Sequence, residues 1–153
     1  MFVFGSRSMA NLARVHPDLQ RCADRAIQVT AVDFGVIEGI RTPARQRELM
    51  QAGASQTMNS RHLSGHAIDV MAYVGTEGRW DSGLYYEIAR AFQVAAKELV
   101  IPLRWGGSWM RLDLSQMSPW DQVAAYAQLQ RQQGKRPFVD LGHFELPSAA
   151  YPA

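Results

Sequence analysis

Two short stretches of this chain carry side chains whose types and spacing suit a divalent metal. Ser60-Arg61-His62-Leu63-Ser64-Gly65-His66-Ala67-Ile68-Asp69 offers imidazoles and a carboxylate, and Asp140-Leu141-Gly142-His143-Phe144-Glu145 offers a further imidazole with a carboxylate close by. A catalytic zinc uses three protein ligands and keeps a fourth position open for water. His62, Asp69 and His143 match that count, and Asp140, three residues before the last histidine, is left over as a base. Such a carboxylate can take a proton from an attacking water and deliver it to a leaving amine. Either stretch alone reads more simply as structure, with Asp140 capping a turn and His143 a hydrogen-bonded core residue. The complementary ligand types of the two together favour the metal.

The spacing of His62 and His66 raises the rival of a helical zinc pair, four residues apart on one face. Gly65 lies between them, no glutamate follows His62, and the residues after His66 look like strand. The pair is therefore rejected. A loop histidine and a strand aspartate can instead converge because glycine lets the backbone turn sharply. His66 is expected at the surface or behind the ligands.

Elements able to position these residues follow from the pattern around them. Pro17 to Gln28 reads as a helix, with proline in its first turn and Leu19, Cys22, Ala23, Ala26 and Ile27 on one face. Phe34 to Ile37 is a short strand. A helix starts at Pro43 after Thr42 as N-cap and stops near Gly53, and the polar segment 53–61 is loop. Ala67 to Met71 is a strand carrying Asp69. Asp81 or Ser82 opens a longer helix with Tyr85, Ile88, Ala89, Phe92, Ala95, Ala96 and Leu99 on one side. Leu103 to Trp105 is a strand, Ser118-Pro119-Trp120-Asp121 starts a helix that reaches Gly134, and Phe144 to Leu146 is the last strand. With no repeat or linker, residues 1–153 are expected to form a single α+β domain.

Bulk properties agree with a soluble globular chain of 153 residues, 47% hydrophobic and 20% charged. A net charge of +2 is too small to argue for nucleic acid, and no Lys/Arg-rich run supports such a partner. No apolar run is long enough for a membrane span and no signal peptide is visible, so synthesis in the cytoplasm is expected. Cys22, the single cysteine, falls on an apolar helix face and is read as core.

Ser60-x-His62-x-x-Gly65-x-Ala67-x-Asp69 resembles the SxHxxGxAxD signature of the D-alanyl-D-alanine metallopeptidase family, and Asp140-x-x-His143-Phe144-Glu145-Leu146 resembles its closing motif. Trp105-Gly106-Gly107-Ser108-Trp109 is similar to a WGGDW segment and Glu38-Gly39-Ile40-Arg41-Thr42 to an EGxRT/S segment, so the likeness runs from residue 38 to 146. The opening Phe4-Gly5-Ser6-Arg7-Ser8 looks most like the phage endolysin branch, which cuts the L-alanyl–D-glutamate bond of peptidoglycan stem peptides. The resemblance implies a small antiparallel sheet with helices packed around it and a zinc cleft. It assigns one zinc ion to His62, Asp69 and His143, the general base to Asp140, and stabilisation of the oxyanion to Arg41. On residue type alone Arg41 competes with Arg45 and Arg47. Ser60 is read as a substrate contact or as the holder of the His62 loop, with capping a turn an equal alternative. Trp109 is a candidate groove residue and Trp105 a core one. Ser108 departs from the family aspartate, which puts substrate contacts in doubt more than the metal. The helix after Pro119 is read as a solvated helix rather than a lid.

The expected function is a zinc peptidoglycan endopeptidase, a monomer made in the host cytoplasm that reaches the wall once the membrane is breached. No separate wall-binding domain is expected. Two rivals remain at this point: a D,D-carboxypeptidase or dipeptidase acting on D-Ala-D-Ala, and a non-catalytic zinc domain that binds wall fragments.

Overall fold

Along β2 (Ala67–Val74), Ile68, Val70 and Ala72 are buried while Asp69, Met71 and Tyr73 are not, so the strand keeps one face in the core and turns Asp69 to the other. The same division holds on β6 (His143–Glu145): Phe144 stacks on Phe92 with ring centroids 4.0 Å apart, which leaves His143 and Glu145 on the Asp69 side. These relations come from a computed structural model that describes residues 1–55 and 57–153. Gln56, part of the expected loop 53–61, lies outside the described residues.

The remaining strands are β1 (Asp33–Glu38), β3 (Glu77–Arg79), β4 (Arg104–Trp105) and β5 (Met110–Arg111). They form one antiparallel sheet in the order β1-β2-β6-β4-β5, with β3 paired to β2. In register, Glu38 opposes Asp69, Asp69 opposes His143, and Glu145 opposes Arg104. Opposed residues share a face, so one row of charged and imidazole side chains crosses the open side of the sheet. A bulge between Val36 and Glu38 makes this possible, because Val36 pairs with Val70 on the core side and the extra residue resets Glu38 to the open side.

The core face is covered by α2 (Pro17–Val29) and α4 (Ser82–Leu99), which pack on each other. The expected stripes are the buried ones, Leu19, Cys22, Ala23, Ala26 and Ile27 in α2, and Tyr85, Ile88, Ala89, Phe92, Ala95 and Ala96 in α4, except that Leu99 at the end of α4 is half-buried. Each large apolar side chain so buried stabilises the fold by about 1.5–3 kcal/mol. Burial also pushes the Cys22 thiol up to about 12, consistent with a packing residue. In α3 (Pro43–Gln51), Thr42 accepts from the Arg45 amide as an N-cap, and Ser118 accepts from the Asp121 amide at the start of α5 (Pro119–Gln132). Two N-caps behave otherwise: Asp81 makes no side-chain cap bond to α4, and His16 Nδ1 caps α2 through the Asp18 amide.

Some elements were not apparent from the pattern. A short helix, α1 (Ser6–Leu12), has neither a side-chain cap nor an acidic first turn. It is held by tertiary bonds: the Val36 amide donates to Ser8 Oγ at 3.0 Å, and Asn11 Nδ2 donates to the Val36 carbonyl at 2.7 Å. The helix thereby covers the outer edge of β1, which would otherwise present unpaired backbone. β3 and β5 span three and two residues, too short for alternation to reveal them. A single 3-10 turn spans Arg61–Ser64, within the stretch read as loop leading into β2.

Candidate metal centre

Ser60 caps the turn that carries His62, accepting from the His62 amide at 3.3 Å. Gly65 ends it with φ +74, a left-handed conformation in which side chains are strained, and the chain then enters β2. The sharp reversal expected at Gly65 is thus the observed one. His62 is 1% exposed and its Nδ1 lies 2.8 Å from the Gly39 carbonyl. With Nδ1–H donating there, Nε2 keeps its lone pair. A Cβ at Gly39 would collide with the Asn11 carbonyl and Val15, so glycine is what lets the chain after β1 lie against α1.

His62 Nε2 points at the strand carboxylate: it is 3.2 Å from Asp69 Oδ1 but not aligned for a hydrogen bond. Among the described residues it is the buried side-chain nitrogen or oxygen left without a hydrogen-bond partner. His143 Nδ1 lies 3.2 Å from the same Oδ1, while its Nε2 is 2.8 Å from Glu145 Oε1. Ligand atoms of His62, Asp69 and His143 all fall within 4.8 Å of one another. Two imidazoles and a carboxylate, each imidazole turned inward by an acceptor on its far nitrogen, form a donor set that fits zinc and its usual supporting shell. The residues present therefore fit the ion that the motifs suggested. His66 is not in the cluster.

The charges around the cluster call for a cation. Burial disfavours charge on His143, but the bonds to Asp69 and Glu145 outweigh it and push the imidazole up to about 10. Burial also works against ionised Asp69, yet its contacts with His143 and His62 hold the carboxyl well below the usual range. Glu145 is likewise lowered despite burial, by His143 first and then by the charges of His143, Arg104 and Arg61. A metal ion held by these residues would supply the positive charge that protonation of His143 supplies without it.

The cluster opens into a cleft of about 600 Å³ that also takes in Arg41, Ser60, Trp109, Phe138 and Asp140. Asp140 follows the Lys135–Val139 stretch, and its amide donates to the Gly106 carbonyl at 2.9 Å. Its carboxylate makes no hydrogen bond among the described residues, and burial together with the Asp69 charge raises its pKa. Arg41 lies on the other flank. Its side chain is 7% exposed, forked onto Glu38 at 2.7 and 2.8 Å, and 3.2 Å from Asp69 Oδ2. Arg45 and Arg47 are exposed on α3 and absent from the cleft lining, so of these three arginines Arg41 is the one that lines it.

Trp109 has φ +56, a conformation costing a non-glycine residue roughly 1 kcal/mol or more. Its ring stands 5.4 Å from that of His143 and stacks on Phe138, with Nε1 donating to the Phe138 carbonyl. Trp105 is fully buried in the core, as read from the sequence. Ser108 is 3% exposed and turned away from the cleft, where its hydroxyl donates to Gln122 Oε1 at 3.2 Å and ties the turn to α5. α5 itself packs on α4 and contributes nothing to the cleft lining among the described residues.

Three contributors escaped the sequence reading. Glu145 orients His143, and the available signal was its place two residues along the same strand, which puts both on one face. Glu38 holds Arg41 from three residues away. Gln46, fully buried, accepts from Arg41 at 2.7 Å and donates to Ser55 Oγ at 2.8 Å and to the Thr57 carbonyl, tying the arginine to the cleft loop. An internal glutamine on a weakly amphipathic helix gives no warning of such a role.

Comparison with known proteins agrees with this arrangement. A sequence model of the phage L-alanyl-D-glutamate peptidase family matches residues 1–146. The L-alanyl-D-glutamate peptidase of Escherichia phage T5 is 38% identical over 112 residues, covering 71% of this chain and 82% of that protein. The enzyme of the same name from Listeria phage A118 is 30% identical over 107 residues, 68% of this chain but 37% of its own length. Among solved structures, the L-Ala D-Glu endopeptidase ChiX of Serratia marcescens superposes with a TM-score of 0.75 at 38% identity, covering 99% of this chain and 95% of that one. The chain belongs to the phage L-alanyl-D-glutamate peptidase family.

Proposed function

We propose that this family member is a zinc-dependent endopeptidase that hydrolyses the L-alanyl–D-glutamate bond of peptidoglycan stem peptides, lysing the host as a phage endolysin. The observation that carries the metal assignment is the orphaned His62 Nε2, aimed with His143 Nδ1 at one oxygen of Asp69. The bond assignment rests on the relatives named above, and no helix among the described residues is long and apolar enough to cross a membrane. We assign wall contact to the cleft of this same domain.

His62, Asp69 and His143 would hold the zinc, which when bound supplies a Lewis acid that acidifies water and polarises a carbonyl oxygen. Asp140 takes the proton from the attacking water. It then returns that proton to the amine nitrogen of D-glutamate as the peptide bond breaks. Its carboxylate lines the cleft with no competing hydrogen bond among the described residues, so it is free to do both. Arg41 is a cation already fixed by Glu38 and Gln46, and it stabilises negative charge developing on the L-alanine carbonyl without reorganising. Ser60 keeps the His62 turn in place while its hydroxyl faces the cleft, and Trp109 forms an apolar wall for the stem peptide.

Digestion of purified muropeptides, with fragments weighed by mass spectrometry, tests the reading. Glycan-linked L-alanine and free peptides starting at D-glutamate are expected; a chelator should stop their release and added zinc restore it. Release of free D-alanine with the L-alanyl–D-glutamate bond intact would overturn the assignment, as would digestion indifferent to chelation.

A further inference from the structure

Three arginines line the cleft, and they differ in what their guanidinium groups already do. Arg41 is almost wholly buried and engaged by Glu38, Asp69 and Gln46. Arg61 donates from Nε and Nη2 to the carbonyls of Leu146 and Tyr151. Arg104 is 41% exposed and makes one hydrogen bond among the described residues, from Nε to the Trp109 carbonyl at 2.9 Å. Its Cζ lies 5.1 Å from the centre of the Trp109 ring, within cation–π range, so the indole and the Nε bond together hold the group in place. Nη1 is 3.5 Å from Glu145 Oε2, a loose ion pair to a carboxylate whose other oxygen is bonded to His143. Neither terminal nitrogen makes a hydrogen bond among the described residues, and Arg104 lines the cleft.

The strand order places Arg41 and Arg104 on opposite flanks of the ligands. Arg41 follows β1 and meets Asp69 from one side, while Arg104 on β4 opposes Glu145 on β6 from the other. With a substrate carbonyl directed toward Arg41, the cleft gives the departing half of the peptide room to extend to Arg104. In stem peptides, D-glutamate continues through its γ-carboxyl. Its α-carboxyl, free or amidated, therefore sits one carbon from the nitrogen of the scissile bond.

We propose that Arg104 is the specificity residue of the cleft, recognising the free α-carboxylate of D-glutamate on the departing side through its open guanidinium edge. The proposal rests on the endopeptidase reading above. A planar fork already held by an indole and a backbone carbonyl matches a carboxylate with two parallel bonds and loses little freedom in doing so. An amide at the same position offers one acceptor and no charge, so amidated stems bind less well.

Hydrolysis of paired synthetic peptides, identical except for D-glutamate or D-isoglutamine after L-alanine, tests this with wild type, Arg104→Gln and Arg104→Lys. Wild type should favour the carboxylate peptide in kcat/KM by about tenfold to a hundredfold, the range expected for a charge-assisted bond. Arg104→Gln should lose most of that preference, chiefly through KM, with the isoglutamine peptide affected far less. Arg104→Lys should recover part of it, and it carries the test alone if the glutamine variant does not fold. Equal cleavage of both peptides by wild type, or an equal loss on both in the variants, overturns the role of Arg104 while leaving the endopeptidase reading intact. Failure of wild type to cut either peptide between L-alanine and the next residue overturns that reading and the proposal with it.

Discussion

Two pairs of histidines lie side by side in this protein, and one pair suits a metal. His62 and His143 have ring centroids 5.1 Å apart; His16 and His66 are 5.5 Å apart. Around the first pair, carboxylates of Asp69 and Glu145 and the Gly39 carbonyl turn the rings toward a common point. Around the second, His16 Nδ1 is taken by the Asp18 amide, His66 Nδ1 lies 2.6 Å from Ser64 Oγ, and both rings pack near Tyr151. Asp18, the nearby carboxylate, is bonded by the Tyr151 hydroxyl at 2.6 Å instead of facing the rings. Proximity of imidazoles is therefore not what makes a site. A shared carboxylate and an acceptor behind each ring are.

Removal of a ligand should separate the two pairs most sharply. His62→Ala, Asp69→Ala or His143→Ala should abolish zinc binding and activity. The loss should exceed the about 10–100-fold seen when a mere orienting partner is removed. His16→Ala with His66→Ala should leave zinc content and hydrolysis within about threefold of wild type; a loss of zinc there would break the comparison. Next in size is Asp140→Asn, expected to lower kcat by about 10²–10⁴-fold with zinc still bound, measured by metal analysis beside peptide hydrolysis. Loss of the zinc instead would move Asp140 from proton carrier to ligand. Glu145→Gln should weaken zinc affinity by about 10–100-fold, since His143 loses the carboxylate that orients it.

Opposite electrostatic surroundings give a subtler contrast, readable by NMR titration of the metal-free protein. Burial, Arg61 and His16 hold His66 below 6.5, while Asp69 and Glu145 raise His143 to about 10. The stabilisation from charged His143 is thus full below 6.5 and lost as pH rises through about 10. Zinc must displace that proton, so its affinity should climb with pH until about 10. A His143 that titrates below 6.5 would contradict this. Smallest of all, Tyr151→Phe should lower stability by about 1 kcal/mol at neutral pH. Asp18 is held below 3.8 first by the Tyr151 bond, so the penalty should shrink as pH falls through that lowered value. A penalty unchanged in acid would show that the bond does not favour the ionised carboxyl.

Much of this was legible beforehand because it depends on local rules. Apolar periodicity located α2 and α4, and Thr42, Ser118 and the prolines after them marked two helix starts. Gly65 announced the reversal between His62 and Asp69. By contrast, α1 has no local reason to form and exists because Ser8 and Asn11 bond the edge of β1. Ser108 looked like a weakened cleft residue; its hydroxyl is instead buried against Gln122.

The chain alone determined which groups could bind a metal, because ligand chemistry belongs to residue types and His62, Asp69, His143 and Asp140 occur in a recognisable order. Tertiary structure decided which nitrogen of each ring faces inward, which arginine is fixed and which stays open, and that Glu38, Gln46 and Glu145 support them. Those outcomes depend on strand register and on a bulge at residue 37, which bring together side chains from distant parts of the chain. No local pattern encodes register, since it is the packing of both sheet faces that selects it.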